Sequence, residues 1–132
     1  MSLLRQFSNS PMKASDIIGT RVVNPKGDNL GDIKEIVIDP HTGKVAYAVV
    51  SFGGFLSLGE KLFAIPFSAL EYRVTKHDPA PSTLIQSEYI LHVSKERLEA
   101  APGFDTDHWP LLSDEKWHRT VHTYYGLSPF WE

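Results

Sequence analysis

The block over residues 49–72, V-V-S-F-G-G-F-L-S-L-G-E-K-L-F-A-I-P-F-S-A-L-E-Y, constrains the fold more than any other part of the chain. It predicts one strand, a glycine-rich loop, a second strand, a proline break and a short third segment. The loop Gly53-Gly54-Phe55-Leu56-Ser57-Leu58-Gly59 carries aliphatic and aromatic residues where Ser, Asn and Asp usually dominate a turn. Apolar residues on a loop fold back onto a core or serve a partner. Phe55, Leu56 and Leu58 are therefore candidate partner-binding residues.

The same punctuation recurs upstream. Ser15 can cap one helical turn and Gly19 can end it. Residues 20–23 are β-prone, and Asn24-Pro25-Lys26-Gly27-Asp28 supplies turn chemistry. Residues 31–39 and 44–52 read as strands joined by the tight turn Pro40-His41-Thr42-Gly43, a hairpin. Both strands are apolar on both faces in part, which predicts a strongly curled sheet covered on its outer side. Residues 62–65 form a further strand whose pairing Pro66 ends. One helical turn over 67–70 and a Pro-rich loop over 77–82 lead to a last strand over 88–93. Short strands at this spacing predict a mainly β fold, a small antiparallel barrel.

After residue 93 the character changes. Ser94 can cap a helix over 95–101, stopped by Pro102-Gly103. Ser113 can cap a second helix with Asp114 and Glu115 in its first turn. Trp117, Val121, Tyr124 and Tyr125 recur at helical spacing, and Gly126 is the natural stop. The last 29 residues hold 7 of the 15 aromatics, an enrichment foreign to disordered tails. The helix should therefore pack on a barrel, its own or a neighbour's. Trp109 and Trp131 join the loop residues as candidate partner contacts. The organisation expected is a barrel domain over 14–93 and a helical, aromatic extension over 94–132.

Composition bounds the function. At 132 residues, 42% hydrophobic and 22% charged, the chain has the profile of one globular domain with a real core. No apolar run reaches the roughly 18 residues that cross a bilayer, so no membrane insertion is expected. No secretory signal is evident, and the cytoplasm is the default compartment. With no cysteine, thiolate catalysis, disulfides and Cys-based zinc sites are excluded. Residues 1–103 balance 11 Lys and Arg against 11 Asp and Glu, while residues 104–132 carry 2 against 5. Neither half has the basic excess that general nucleic-acid binding needs.

No motif supports catalysis. Ser57 lies outside any G-x-S-x-G. The loop over 53–59 lacks the spacing of a phosphate cradle, and a strand follows where a helix should. Asp105 and Asp107 precede His108-Trp109-Pro110 and read as an acidic turn. His118 and His122, four apart, share a helix face and have the spacing of a metal pair. They lack the Glu of H-E-x-x-H and an evident third ligand, so the plainer reading is a solvated face flanking the Trp117/Val121 stripe. No catalytic residue and no cofactor are expected.

Residues 14 to about 93 resemble the PRC-barrel family, named after the H subunit of the photosynthetic reaction centre. The matching residues are Ser15-Asp16-Ile17-Ile18-Gly19, Gly27 with Gly31-Asp32-Ile33, Ile36-Val37-Ile38-Asp39, Gly43-Lys44-Val45 and the block over 53–70. The tail, with D-x-D-x-W-P and Y-Y-G, is similar to that of stand-alone bacterial members. The resemblance implies a small barrel that binds other proteins. The chain lacks the membrane helix of the reaction-centre subunit and the RNA-maturation domain of the ribosome maturation factor that shares this barrel. The reading is a non-enzymatic protein-interaction module that binds a protein partner or itself, with a homo-oligomer expected. Its rivals are a metal or small-ligand binding protein using His118 and His122, and an RNA-processing or ribosome-maturation accessory factor.

Overall fold

The computed structural model describes residues 11–52, 61–77, 85–129 and 131. A short helix, α1 (Ala14–Ile17), leads into strands β1 (Arg21–Val23), β2 (Asn29–Ile38), β3 (Val45–Phe52) and β4 (Lys61–Pro66). A 3-10 turn (Phe67–Ala69) separates β4 from β5 (Glu71–His77). Strand β6 (Ile85–Ile90), helix α2 (Lys95–Glu99), strand β7 (Phe104–Asp105) and helix α3 (Glu115–Tyr124) follow. Ser15 lies inside α1 and does not cap it; Lys13 holds the N-cap position. Gly19 does end the turn, at φ +95°.

The strands form one seven-stranded sheet in the order β5-β6-β1-β2-β3-β4-β7. This corrects the expected barrel twice. Among the described residues the sheet stays open, with β5 and β7 at its edges. The sheet is also mixed: β1 and β6 run parallel, with Val22 opposite Tyr89 and Val23 opposite Ile90. The physical reasons are local. β7 contributes only two residues before the chain turns away, too few to close a cylinder. A parallel pair needs a long crossover, and the chain from β2 through β5 provides it before β6 reaches the free edge of β1.

The hairpin of β2 and β3 forms where the turn chemistry asks for it. Asp39 accepts from the His41 backbone N–H at 3.0 Å and from the Thr42 hydroxyl at 2.9 Å, and Gly43 takes φ +76°. Strands β3 and β4 pair in register, Val50 with Phe63, Ala48 with Ile65, and Val49 with Ala64. Alternation then sends residues to two faces. One face carries Ala48, Val50, Phe63 and Ile65 into the main core with Val22, Leu30, Ile33, Tyr89 and Leu91. Leu98 of α2 and Ala101 close the same core. The other face presents Tyr47 and Ala64, and with Ala46 these pack against Val121 of α3. Both faces of the central strands are thus covered, which is why β3 is apolar on both sides.

Caps position the two later helices. Ser94 Oγ accepts from the Arg97 backbone N–H at 3.1 Å and starts α2. Helix α3 begins one residue later than the sequence suggested, because Asp114, not Ser113, is its N-cap and accepts from the Lys116 N–H at 3.0 Å. Arg97 and Tyr124 then clasp the helices together. The Arg97 guanidinium donates to the Tyr124 carbonyl at 2.6 Å and lies 4.5 Å from the ring centre. The Tyr124 hydroxyl donates to the Arg97 carbonyl at 2.5 Å. No described helix is long and apolar enough to cross a membrane.

Candidate functional site

The buried face of α3 is centred on its two histidines. His118 is 7% exposed, Val121 1% and His122 1%. This corrects the expectation that the pair lines a solvated face. The cause lies on β3. Tyr47 is fully buried among apolar residues, and a buried hydroxyl costs free energy unless it is hydrogen-bonded. His118 supplies the partner, its Nδ1 lying 2.5 Å from Tyr47 Oη. The helix therefore turns its imidazoles inward, and Trp117 packs beside the contact. Trp117 stands 5.5 Å from the Tyr47 ring, centre to centre.

Hydrogen bonds assign the proton positions. His118 Nε2 lies 2.7 Å from the Leu112 carbonyl, which can only accept, so Nε2 carries the hydrogen. In the neutral ring Nδ1 then accepts from Tyr47. His122 Nδ1 donates to the His118 carbonyl at 2.7 Å and lies 3.4 Å from Tyr47 Oη. Burial pushes the Tyr47 phenol far above its ordinary range, so it stays a donor. The same burial lowers the His122 pKa; the bond to the His118 carbonyl opposes this only in part. Trp131 closes the cluster, 5.7 Å from the His118 ring and 6.3 Å from that of His122, with the Arg119 guanidinium 5.5 Å from its own ring centre.

A pH dependence follows. The folded pKa of His122 lies below the unfolded value near 6.5, so above pH 6.5 its contribution is fully present. As pH falls below 6.5 the unfolded chain takes a proton that the folded chain resists, and stability drops until the folded pKa is passed. Asp39 and Asp105, held low chiefly by the His41 backbone N–H and by His108, act only at lower pH, near and below 3.8. Melting temperature should therefore fall between pH 7.5 and 5.5, and His122→Asn should flatten that slope. Parallel slopes in the two proteins would refute the assignment.

Tyr47, His118 and Trp131 of this cluster also line a cleft of about 730 Å³, between the turn of the β2–β3 hairpin and the start of α3. Val37, Ile38, Tyr47, Leu112 and Trp131 line its apolar part, and Asp39, His41, Thr42 and Lys44 its polar rim. Three of its apolar lining residues reach solvent: Ile38 is 51% exposed, Leu112 45% and Trp131 40%. Next to it, Leu111 is 76% exposed, the most exposed large apolar residue among those described.

The other sequence candidates fall as follows. Trp131 lies at the cleft. Trp109, 38% exposed, packs its ring tilted against that of Phe104, the residue that pairs with Leu62 on β4, at 4.9 Å centre to centre. Phe55, Leu56, Ser57 and Leu58 lie outside the described residues. Asp105 and Asp107 form an exposed turn in which Asp105 accepts from the Asp107 N–H and from His108 Nδ1. Among the described residues no three His, Cys, Asp or Glu side chains converge as a metal site. Both nitrogens of His118 are engaged, by the Tyr47 hydroxyl and the Leu112 carbonyl, and His122 Nδ1 is engaged by the His118 carbonyl. Sequence reasoning missed Tyr47, Ile38, Leu111 and Leu112. The signal for Tyr47 was present, a lone hydroxyl inside the run V-A-Y-A-V-V.

A family model described as PRC-barrel domain matches residues 11–78, just over half of the chain. Comparison with curated proteins gave no match.

Proposed function

The chain belongs to the PRC-barrel domain family, and on that premise we propose that it is a non-enzymatic interaction module that binds another protein chain. The observation that carries this reading is the segment Trp109-Pro110-Leu111-Leu112. It joins β7 to α3 and holds three large apolar side chains at 38%, 76% and 45% exposure. Apolar side chains grouped on a short segment, rimmed by polar residues, mark an interaction site. Pro110 stiffens the segment, which lowers the entropy lost on docking. Trp131 and Ile38 extend the same apolar surface across the cleft. The non-enzymatic part of the reading is supported by the state of the polar groups: Tyr47, His118 and His122 are spent on one another and on backbone carbonyls.

Leu111→Glu tests this. Leu111 makes little contact within the chain, so the melting temperature should move by no more than about 2 °C. Association should weaken strongly, because a carboxylate replaces an anchor that is buried only in the complex. Sedimentation of the purified protein and capture from source-cell extract with tagged protein read the two forms of association. If wild type and variant sediment alike and retain the same proteins, the segment is not a binding surface.

A further inference from the structure

We infer that the partner is a second copy of this chain, docked about a two-fold axis so that Leu111 of each protomer enters the cleft of the other. The inference rests on the reading of the segment around Leu111 as an interaction surface. It adds who binds and where.

Three observations carry it. The first is a projecting group and a receiving site of matching chemistry. Leu111 stands 76% exposed, and the cleft of about 730 Å³ beside it is walled by Val37, Ile38, Tyr47, Leu112 and Trp131. Leu111 is not among the residues lining its own cleft. The second is adjacency. Leu112 is a wall of the cleft and Leu111 is the next residue back along the chain, so knob and hole lie side by side on one surface. That is the condition for a closed two-fold contact, in which the same patch serves both protomers. A knob and a hole on opposite faces would build a ring or an open filament instead. The third is charge. Lys44 sits exposed at the cleft rim, and no described residue bonds its ammonium group. Asp107 and Asp114 flank the segment that carries Leu111, Asp114 with one carboxylate oxygen held as the cap of α3. Reciprocal docking brings the acidic flanks of one protomer toward the lysine of the other. The carboxylate of Asp39, also on the rim, is already held by the His41 N–H and the Thr42 hydroxyl. The result is an apolar centre with a polar rim, the anatomy of a protein interface.

The test is a complementation experiment by sedimentation velocity on full-length protein. Wild type should form a dimer. Leu111→Glu and Ile38→Glu should each weaken it by at least about tenfold, because in each homodimer both knob-in-hole contacts are damaged. An equimolar mixture of the two variants should recover dimer. In the mixed pair one contact holds both substitutions, while the other joins an intact Leu111 to an intact cleft. Both sites are more than half exposed, so folding should survive, as melting curves will show. Leu111→Ser and Ile38→Ser provide a milder pair should either Glu variant misfold. A monomeric wild type at its highest soluble concentration overturns the inference. So does a dimer that either substitution leaves intact, and so does a mixture that recovers nothing. In each of these cases the wider interaction reading is judged separately, by whether Leu111→Glu loses a protein that the wild type captures.

Discussion

Tyr47→Ala is expected to destabilise the fold by about 3–5 kcal/mol and to loosen α3 from the sheet. Tyr47 is fully buried and touches the helix through three rings, those of Trp117, His118 and His122, at centre distances of 5.4–5.5 Å. Truncation to Ala empties a ring-sized volume and removes the hydroxyl bonded to His118 Nδ1. At about 4 °C per kcal/mol for a chain of this length, the melting temperature should fall by roughly 12–20 °C. Because an isolated ten-residue helix is marginal in water, α3 should lose helicity ahead of the sheet. Trp117 reports this by its fluorescence. Tyr47→Phe separates the two contributions. It keeps the ring and removes only the hydrogen bond, at an expected cost of about 1–3 kcal/mol. If Tyr47→Ala melts like the wild type, the helix is not held by this contact.

That contact also shows where sequence reasoning reaches its limit. The period of α3 was legible: Trp117, Val121 and Tyr124 do lie toward the protein. The burial of its two histidines was not. Average preference places histidine outward, and only the need of a buried phenol on β3, 71 residues away, turns His118 inward. The hairpin of β2 and β3 was legible for the opposite reason. Its apolar runs, its turn residues and its pairing are all local.

Strand β5 is an element that the sequence reading did not identify. Tyr72 and Val74 alternate with Glu71, Arg73 and Thr75, a recognisable pattern, but the strand is at an edge, and Tyr72 and Val74 remain about 40% exposed. Its signal is therefore half that of a central strand. The parallel pairing of β1 with β6 had no local signal at all. It is decided by which free edge β6 meets after a long crossover. The exposed segment at Leu111 inverts the usual rule. W-P-L-L is apolar by composition, and the structure leaves it facing out, which is the reason it bears on function.

Gly31→Ala is expected to be the other severe substitution, at about 4 kcal/mol or more. Gly31 is one of the glycines on which the family resemblance rests, and its geometry explains why a glycine is needed. It adopts φ +119°, a region that L side chains rarely enter. A Cβ built there would stand 2.0 Å from the Ser51 carbonyl oxygen and 3.1 Å from Val50 Cγ1. Backbone is the nearest obstacle, so no side-chain rotation relieves it. The two strands would have to part where Asp32 faces Ser51 and Ile33 faces Val50. That opens the main core at Leu30, Ile33 and Val50, all fully buried. Gly27→Ala is the control. Gly27 has φ +89° but open space around the added carbon, so only the backbone preference is lost, about 1–2 kcal/mol. Denaturant titration of the two variants should therefore separate them by a factor of two or more in lost stability. Equal losses would mean that conformational preference alone, and not the approach of β3, requires the glycine at position 31.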